Sequence, residues 1–255
     1  MHTRFDATLN GVSVAYLDPA IILVDIIEEK PDMTMETFRR SIRHGTRVSS
    51  RIRRSLTVRL QLQLREYDVD ARAALMDRVA DWAGNGGWLM INSRPAQRLH
   101  VTVSDPPHMG SSLKWTDMVE ISLTAYEQPY WEQAWPTRAI ITESGSIRPS
   151  GTYPEARVEC DVSNAGAGEM TRLVMRCGNT HMTLEGISVP PGGHAAVAYT
   201  DDDLLTITAG GASALGNRTA DSSDDLVAMT RQDNDISIEA DQPVSAVFSA
   251  RGRYR

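Results

Sequence analysis

The residue types that most often perform catalysis or bind metals are scattered in this sequence. Its six histidines never stand at metal-ligand spacing: His2, His44, His100, His108, His181 and His194. No Gly-x-Ser-x-Gly motif, phosphate-binding glycine loop, His-Glu-x-x-His or Cys-x-x-Cys pair occurs. The sequence therefore predicts a protein that is not an enzyme, with no catalytic residues, no metal and no cofactor.

Two aspartate groups in the second half come nearest to a binding site. A hard cation such as Ca²⁺ takes several carboxylate oxygens as ligands. Each group contains three aspartates: Asp201, Asp202 and Asp203 in the first, and Asp221, Asp224 and Asp225 in the second. Neither follows a known Ca²⁺-loop pattern, so acidic turn residues on a solvated loop are the preferred interpretation and Ca²⁺ binding is the alternative. A glycosidase carboxylate pair is disfavoured, because aromatic residues that would hold a sugar ring are scarce after Trp135.

The two cysteines, Cys160 and Cys177, are too few for a disulfide framework. Free cysteine is usually a small buried residue, and this is the preferred interpretation. A cross-link between cysteines that face each other on paired strands is left open.

A dense run of arginines at about residues 36–55 is the clearest charged feature of the chain. It has no sustained apolar periodicity, which predicts a long loop or an extended hairpin. The run is interpreted either as a solvated loop or as part of a subunit interface, to which arginine is suited. Nucleic-acid binding is disfavoured, because no aromatic residues are interleaved and the whole chain carries a net charge of −7. The arginines are Arg39, Arg40, Arg43, Arg47, Arg51, Arg53 and Arg54.

The segment Leu56–Leu64, directly after this run, alternates apolar and polar residues. Successive side chains of a strand point to opposite faces, so the segment predicts a strand with one face on a core. The other face meets water or another chain, and it carries Thr57, Arg59, Gln61 and Gln63.

A helix is predicted over about residues 70–83, capped by Asp68 or Asp70. Its apolar stripe consists of Ala71, Ala74, Leu75, Val79 and Trp82. Four charged residues are predicted to face elsewhere: Arg72, Asp77, Arg78 and Asp81.

Two strands are predicted nearer the N-terminus. Val12–Tyr16 alternates after the turn-forming pair Asn10-Gly11. The dense β-branched run Ile21–Ile27 predicts a strand that is buried on both faces.

The sequence texture changes at about residue 134. Nine short candidate strands follow between Ala139 and Ala250, separated by Gly and Pro turns, which is typical of a β-sandwich or jelly roll. Charge changes as well, since residues 1–130 carry 16 basic and 16 acidic residues and residues 131–255 carry 10 and 17. Two domains are predicted, 1–133 and 134–255.

Features of membrane insertion and secretion are not visible in the sequence. No apolar run reaches the ~18 residues of a membrane-spanning helix. The segment Met1–Asp6 lacks the apolar core of a signal peptide. These observations predict synthesis and folding in the cytoplasm.

Several segments occur in an order found in a known family. They are Asn10-Gly11 with the strand after it, the arginine run leading into Ser55–Leu60, Arg72–Leu75 with Ala80–Trp82, Arg98–Val101, Trp115–Leu123 and Gln128–Trp131. In this order the chain resembles the distal tail proteins (Dit) of long-tailed, siphovirus-type bacteriophages. The order of the parts resembles this family along the whole chain, but the matching sequence motifs all lie in the first half.

This resemblance implies a mainly β protein. Its N-terminal domain would be a β-sandwich or barrel-like, ring-forming domain with one α-helix, and its C-terminal domain a galectin-like β-sandwich. Six copies would form a ring at the phage tail tip that joins the tail tube to tail-tip and receptor-binding proteins and lets DNA pass. The arginine-rich arm would clasp the neighbouring subunit, and the polar side of 56–64 would face the channel or that neighbour. Assembly would take place in the host cytoplasm.

Two alternatives come from the same residues. A tail-tube-like subunit of the same particle would share the ring-building domain, but a second domain of about 120 residues argues against it. A carbohydrate-binding or adhesion module would act through the C-terminal sandwich, and the scarcity of aromatic residues there argues against it.

Overall fold

Alternating apolar and polar residues build the first half of the chain around an antiparallel sheet. A computed structural model describes residues 5–30, 33–39, 46–107 and 117–254, and the chain divides into two compact units, Met1–Tyr130 and Trp131–Arg255. The first unit contains a 3-10 helix at Val14–Tyr16 and the following elements: β1 (Ala7–Leu9), β2 (Val12–Ser13), β3 (Ile21–Glu28), β4 (Met33–Arg39), β5 (Thr46–Arg53), β6 (Leu56–Leu64), α1 (Val69–Ala83), β7 (Gly87–Ile91), β8 (Gln97–Asp105) and β9 (Met118–Ala125).

Seven of these strands form one sheet in the order β2-β1-β7-β8-β9-β6-β3. Strand β6 lies between β3 and β9 and pairs antiparallel with both. The predicted alternation is confirmed, because every second residue of β6 is buried, from Leu56 at 5% exposure to Leu64 at 0%. The apolar side of β6 therefore contributes five side chains to the core.

Two predictions near the N-terminus are wrong in part. Only Val12 and Ser13 are extended, and the chain then turns into the 3-10 helix because the Ser13 hydroxyl accepts a hydrogen bond from the Ala15 N–H. Strand β3 is not buried on both faces, since Val24 is 38% and Ile27 is 37% exposed. It lies at the edge of the sheet, where β-branched residues also suit a half-exposed strand.

Helix α1 begins as predicted and buries part of the predicted stripe, Leu75 and Val79. Asp68 is its N-cap and accepts a hydrogen bond from the Ala71 N–H at 2.9 Å. The buried residues are Arg72, Leu75, Val79 and Ala83, whereas Ala74 is exposed. The prediction that Arg72 faces away from the core is wrong, because its long stem packs inward while Nη2 donates to the Tyr67 carbonyl.

The arginine run forms an extended hairpin and not a loop. Strands β4 and β5 pair antiparallel in a separate two-stranded sheet, with Thr34 opposite Ile52 and Arg39 opposite Thr46. The register shifts between Glu36 and Thr37. Residues 40–45, which connect the strands, lie outside the described residues.

The second unit consists almost entirely of strands and one 3-10 helix at Leu215–Asn217. Its strands are β10 (Trp131–Gln133), β11 (Thr137–Ile141), β12 (Ser144–Ile147), β13 (Glu155–Asn164), β14 (Met170–Cys177), β15 (Thr180–Val189), β16 (His194–Tyr199), β17 (Leu205–Ala209), β18 (Ala212–Ser213), β19 (Val227–Met229), β20 (Asn234–Ala240), β21 (Val244–Ala250) and β22 (Arg253–Tyr254). All nine predicted strands occur. The four additional ones are short and carry no periodic signal.

Two sheets of this unit share one apolar core. The larger has the order β11-β21-β13-β16-β17-β18 with β19 paired to β13, and the smaller has the order β12-β20-β14-β15. Val158, Met175 and Phe248 are among the buried residues between them. This arrangement confirms the predicted β-sandwich.

Both cysteines are buried free thiols, as preferred in the sequence analysis. Cys160 lies on β13 and Cys177 on β14, which belong to different sheets, so the alternative of cysteines on paired strands is wrong. Burial raises the pKa of Cys177 to about 12 and that of Cys160 well above its usual value. In the described part of the chain, no helix is both long and apolar enough to cross a membrane.

Candidate assembly surfaces

The polar face of the first unit comprises the outward residues of β6 together with their partners on β9. The antiparallel register places Thr57 opposite Thr124, Arg59 opposite Ser122 and Gln61 opposite Glu120. Gln63 follows at the end of β6 and is also partly exposed. The structure thus brings all four predicted β6 residues onto one surface.

Hydrogen bonds across the strands order this polar face. The hydroxyl oxygens of Thr57 and Thr124 lie 2.9 Å apart, and Thr124 donates to the Ser104 hydroxyl at 2.8 Å. Gln61 donates to the Glu120 carboxylate at 3.2 Å. Cross-strand polar pairs of this kind stabilise a sheet by about 0.2–1 kcal/mol each.

The polar face is acidic although Arg59 lies at its centre. Arg59 forms a salt bridge with Glu29 and lies 3.6 Å from a Glu120 oxygen. Gln63 donates to Asp117 at 2.6 Å, and Asp25 and Asp105 stand opposite Gln61 and Ser122. Among the described residues, five carboxylates thus accompany two guanidinium groups, those of Arg59 and Arg65.

Four of these acidic residues are not identified by the sequence, among them Asp25, which reaches the face through a register shift in β3. Glu29 and Asp117 lie just outside β3 and β9, where no alternation identifies them. Asp105 reaches the face through a register shift in β8. Glu120 carried a visible signal, because it alternates with buried residues along β9.

The arginine run is divided by the structure. Arg39 ends β4, and Arg47, Arg51 and Arg53 stand on β5, whereas Arg40 and Arg43 lie outside the described residues. Arg54 follows β5, is exposed, and donates from Nε to the Thr34 hydroxyl at 2.6 Å. The hairpin holds these arginines in a sheet other than the one that carries the polar face.

The aspartate groups of the second unit bind its own arginines. Arg157 forms a salt bridge with Asp203 and lies 3.4 Å from an Asp225 oxygen, and Arg253 donates to Asp203 at 3.0 Å. These two aspartates are therefore not simply solvated turn residues. A hydrogen bond from the Thr219 hydroxyl lowers the pKa of Asp221. Within the described ranges, no cluster of three or more His, Cys, Asp or Glu side chains is arranged to hold a metal.

A shallow pocket of about 520 Å³ lies on the outer face of the larger sheet of the sandwich. Arg138, Glu159, Asp161 and His194 surround a floor that includes Ala196. His194 Nδ1 lies 3.0 Å from Asp161 Oδ1. The described lining contains no Trp, Tyr or Phe side chain, so a sugar ring would find no large stacking platform there.

By sequence, no family model and no curated protein matches this chain. Among solved structures, the Dit (gp 19.1) protein of phage SPP1 matches with a TM-score of 0.70 and 9% identity, over 97% of this chain and 98% of that one. SPP1 Dit is described as a paradigm of the hub adsorption apparatus in phages that infect Gram-positive bacteria.

Chains of the phage p2 baseplate in its activated conformation match as well. With Sr the TM-score is 0.55 at 8% identity, covering 97% of both chains. With Ca it is 0.56 at 8% identity, covering 99% of this chain and 98% of that one. Over nearly its whole length, this chain has the fold of the SPP1 distal tail protein, as its resemblance to that family implied.

Proposed function

We propose that this protein is a structural hub at the distal end of a phage tail. The observation that carries the proposal is the likeness in fold to SPP1 Dit, which spans both units of this chain. A tail-tube-like subunit is the weaker candidate, because it would leave the sandwich of the second unit without a role. The proposed role is structural and needs no catalytic group, metal or cofactor.

The hub would be a closed ring of six copies. A ring of identical subunits needs a head-to-tail contact, in which two different surfaces of each copy meet. The β4–β5 hairpin suits one side of that contact, because an isolated two-stranded hairpin is marginally stable in water and gains from being covered. Its arginines would form charge-assisted hydrogen bonds with carboxylates of the neighbour.

The polar face would line the channel through which DNA passes. DNA binds proteins mainly through its phosphates, so a lining that releases DNA should not present unpaired cations. Arg59 is held between Glu29 and Glu120, and carboxylates outnumber guanidinium groups on this face. The electrostatics of the face therefore favour passage over binding.

The second unit would be a galectin-like sandwich that carries other tail-tip or receptor-binding proteins. The pocket around Arg138, Glu159 and Asp161 offers these partners a polar surface on its larger sheet. A role in binding sugar is the alternative, and the lack of Trp, Tyr and Phe in the described lining argues against it. The protein would be assembled in the host cytoplasm and reside in the virion.

Electron microscopy of the purified protein tests the proposal. Class averages in negative stain should show six-fold rings with a central hole at low salt and high protein concentration. Single particles of 28.1 kDa under all such conditions, combined with glycan binding through the Arg138 pocket, would instead favour the adhesion module.

A further inference from the structure

The outward face of α1 carries carboxylates that no described residue neutralises. Asp70, Asp77 and Asp81 lie on one side of the helix at i, i+7 and i+11, with Ala74 between them. All four residues are exposed. None of the three aspartates forms a hydrogen bond or salt bridge with any described side chain.

This arrangement is unfavourable in an isolated chain. Asp77 and Asp81 stand one turn apart, and like charges at i and i+4 destabilise a helix. Asp81 also lies in the last turn, where the helix dipole is negative and basic residues are preferred. The last turn of α1 contains no basic residue.

The two arginines of α1 do not offset these charges. Arg72 is buried on the opposite side of the helix. Arg78 is exposed and forms a salt bridge with Asp18. The helix thus presents an acidic surface flanked by small alanines, over which another backbone can approach closely.

The complementary charge lies in the arginine hairpin of the same sequence. Residues 33–54 contain seven arginines and one glutamate, a net charge of +6. The other residues of 1–130 contain nine basic and fifteen acidic residues, a net charge of −6. The first unit is therefore neutral only because a strongly basic hairpin balances an acidic body.

We propose that the outward face of α1 is the docking site for the β4–β5 hairpin of the next copy. This inference rests on the proposed ring and names the acceptor surface that a head-to-tail contact requires. Arginines of the hairpin bind Asp70, Asp77 and Asp81 of the neighbour, and the alanines of α1 allow the strand to lie against the helix. Occupation of the site removes the repulsion between Asp77 and Asp81.

A charge-reversal experiment tests the docking site. The helix variant Asp77→Arg/Asp81→Arg and the hairpin variant Arg51→Glu/Arg53→Glu each place like charges at the contact. Each should raise the protein concentration needed for half-assembly by about 30-fold, since lost interface charge pairs cost roughly 2 kcal/mol or more. The combined four-fold variant restores opposite charges and should recover most of the assembly.

Thermal unfolding of the dissociated chains separates docking from misfolding. Because the helix variant exchanges one like-charge pair for another and supplies cations to the last turn, its monomer should be about as stable as the wild type. The control Glu143→Arg/Glu155→Arg changes net charge by the same amount at exposed carboxylates of the second unit, and it should assemble like the wild type.

The outcomes distinguish the two proposals. If wild-type rings form and the helix variant assembles equally well, the docking site is wrong and the ring stands. If both reversals abolish assembly and the combined variant does not recover, the two surfaces do not meet. If the wild type never assembles at low salt, the ring and its docking site are both overturned.

Discussion

Arg157 on β13 and Asp203, in the turn after β16, form a salt bridge that Arg253 extends by donating to the same carboxylate at 3.0 Å. The carboxylate therefore ties the turn after β16 to β13 and to the C-terminal strand β22. The side chains of Arg157 and Arg253 are only 26% and 14% exposed, so the loss of the Asp203 carboxylate takes one anion away from two partly buried cations. Arg157 keeps its contact with Asp225 at 3.4 Å.

Asp203→Asn should consequently lower the free energy of unfolding of the second unit by about 2 kcal/mol. Asn is chosen because Asp203 has a φ of 65°, which Asn tolerates at least as well as Asp. Urea unfolding monitored by circular dichroism measures the change. The matched control Asp202→Asn alters an exposed neighbour without a described partner and should change the free energy of unfolding by less than about 0.5 kcal/mol. Equal effects of both substitutions would contradict a stabilising role for the salt bridges of Asp203 with Arg157 and Arg253.

The core side of β6 should be far more sensitive to substitution than its polar side. Leu60 is fully buried and Gln61 beside it is partly exposed. Leu60→Ala should destabilise the first unit by about 2–5 kcal/mol through lost burial and a residual cavity, whereas Gln61→Ala should cost about 1 kcal/mol or less. Similar costs for both substitutions in denaturant titrations would show that β6 does not have one core side.

The two thiols should be unreactive in the folded protein. Only the thiolate reacts, and burial raises the pKa of Cys177 to about 12 and moves that of Cys160 in the same direction. Thiolate is therefore scarce in the folded state between pH 7 and 9, and it forms readily once unfolding returns both thiols to ordinary values. A thiol reagent such as Ellman's should titrate two groups per chain in urea at pH 8 and none without it; fast labelling of the native protein would show that the cysteines are accessible.

The acidity of the polar face should decide whether a ring retains DNA. Glu29→Lys/Glu120→Lys removes both partners of Arg59 and adds two cations. Rings of this variant should retard duplex DNA in gel shifts at low salt and lose it steeply as salt rises, whereas wild-type rings should not. The control Glu143→Lys/Glu155→Lys has the same net charge with an unchanged polar face. Equal retardation by both variants would place DNA binding outside that face.

Local periodicity was enough to predict most of the strands and the helix, because the spacing of apolar residues along the sequence determines which of them can be buried together. The nine strands predicted in the sandwich and the alternation from Leu56 to Leu64 are examples. It failed where one hydrogen bond redirects the chain, as the Ser13 hydroxyl does at the start of the 3-10 helix. The prediction also failed at Arg72. This residue was placed away from the core because it is charged, whereas its apolar stem is buried.

Of the polar face, only the residues on β6 could be predicted from the sequence. Thr57, Arg59, Gln61 and Gln63 follow from alternation along β6. Their acidic partners follow from register, and the separation of Gln63 from Asp117 by 54 residues leaves no local signal. The arginine run is visible in the sequence as charge, but the acceptor proposed on α1 depends on which side of the helix is exposed, and the sequence does not give that.

The mass in solution tests the central claim of a ring most directly. Light scattering behind a sizing column should give one species near six times 28.1 kDa at low salt. That species should dissociate as salt rises, because ion pairs at the edge of a contact are screened over about 10 Å at 0.1 M salt. A strict monomer at low salt and high protein concentration would contradict the account.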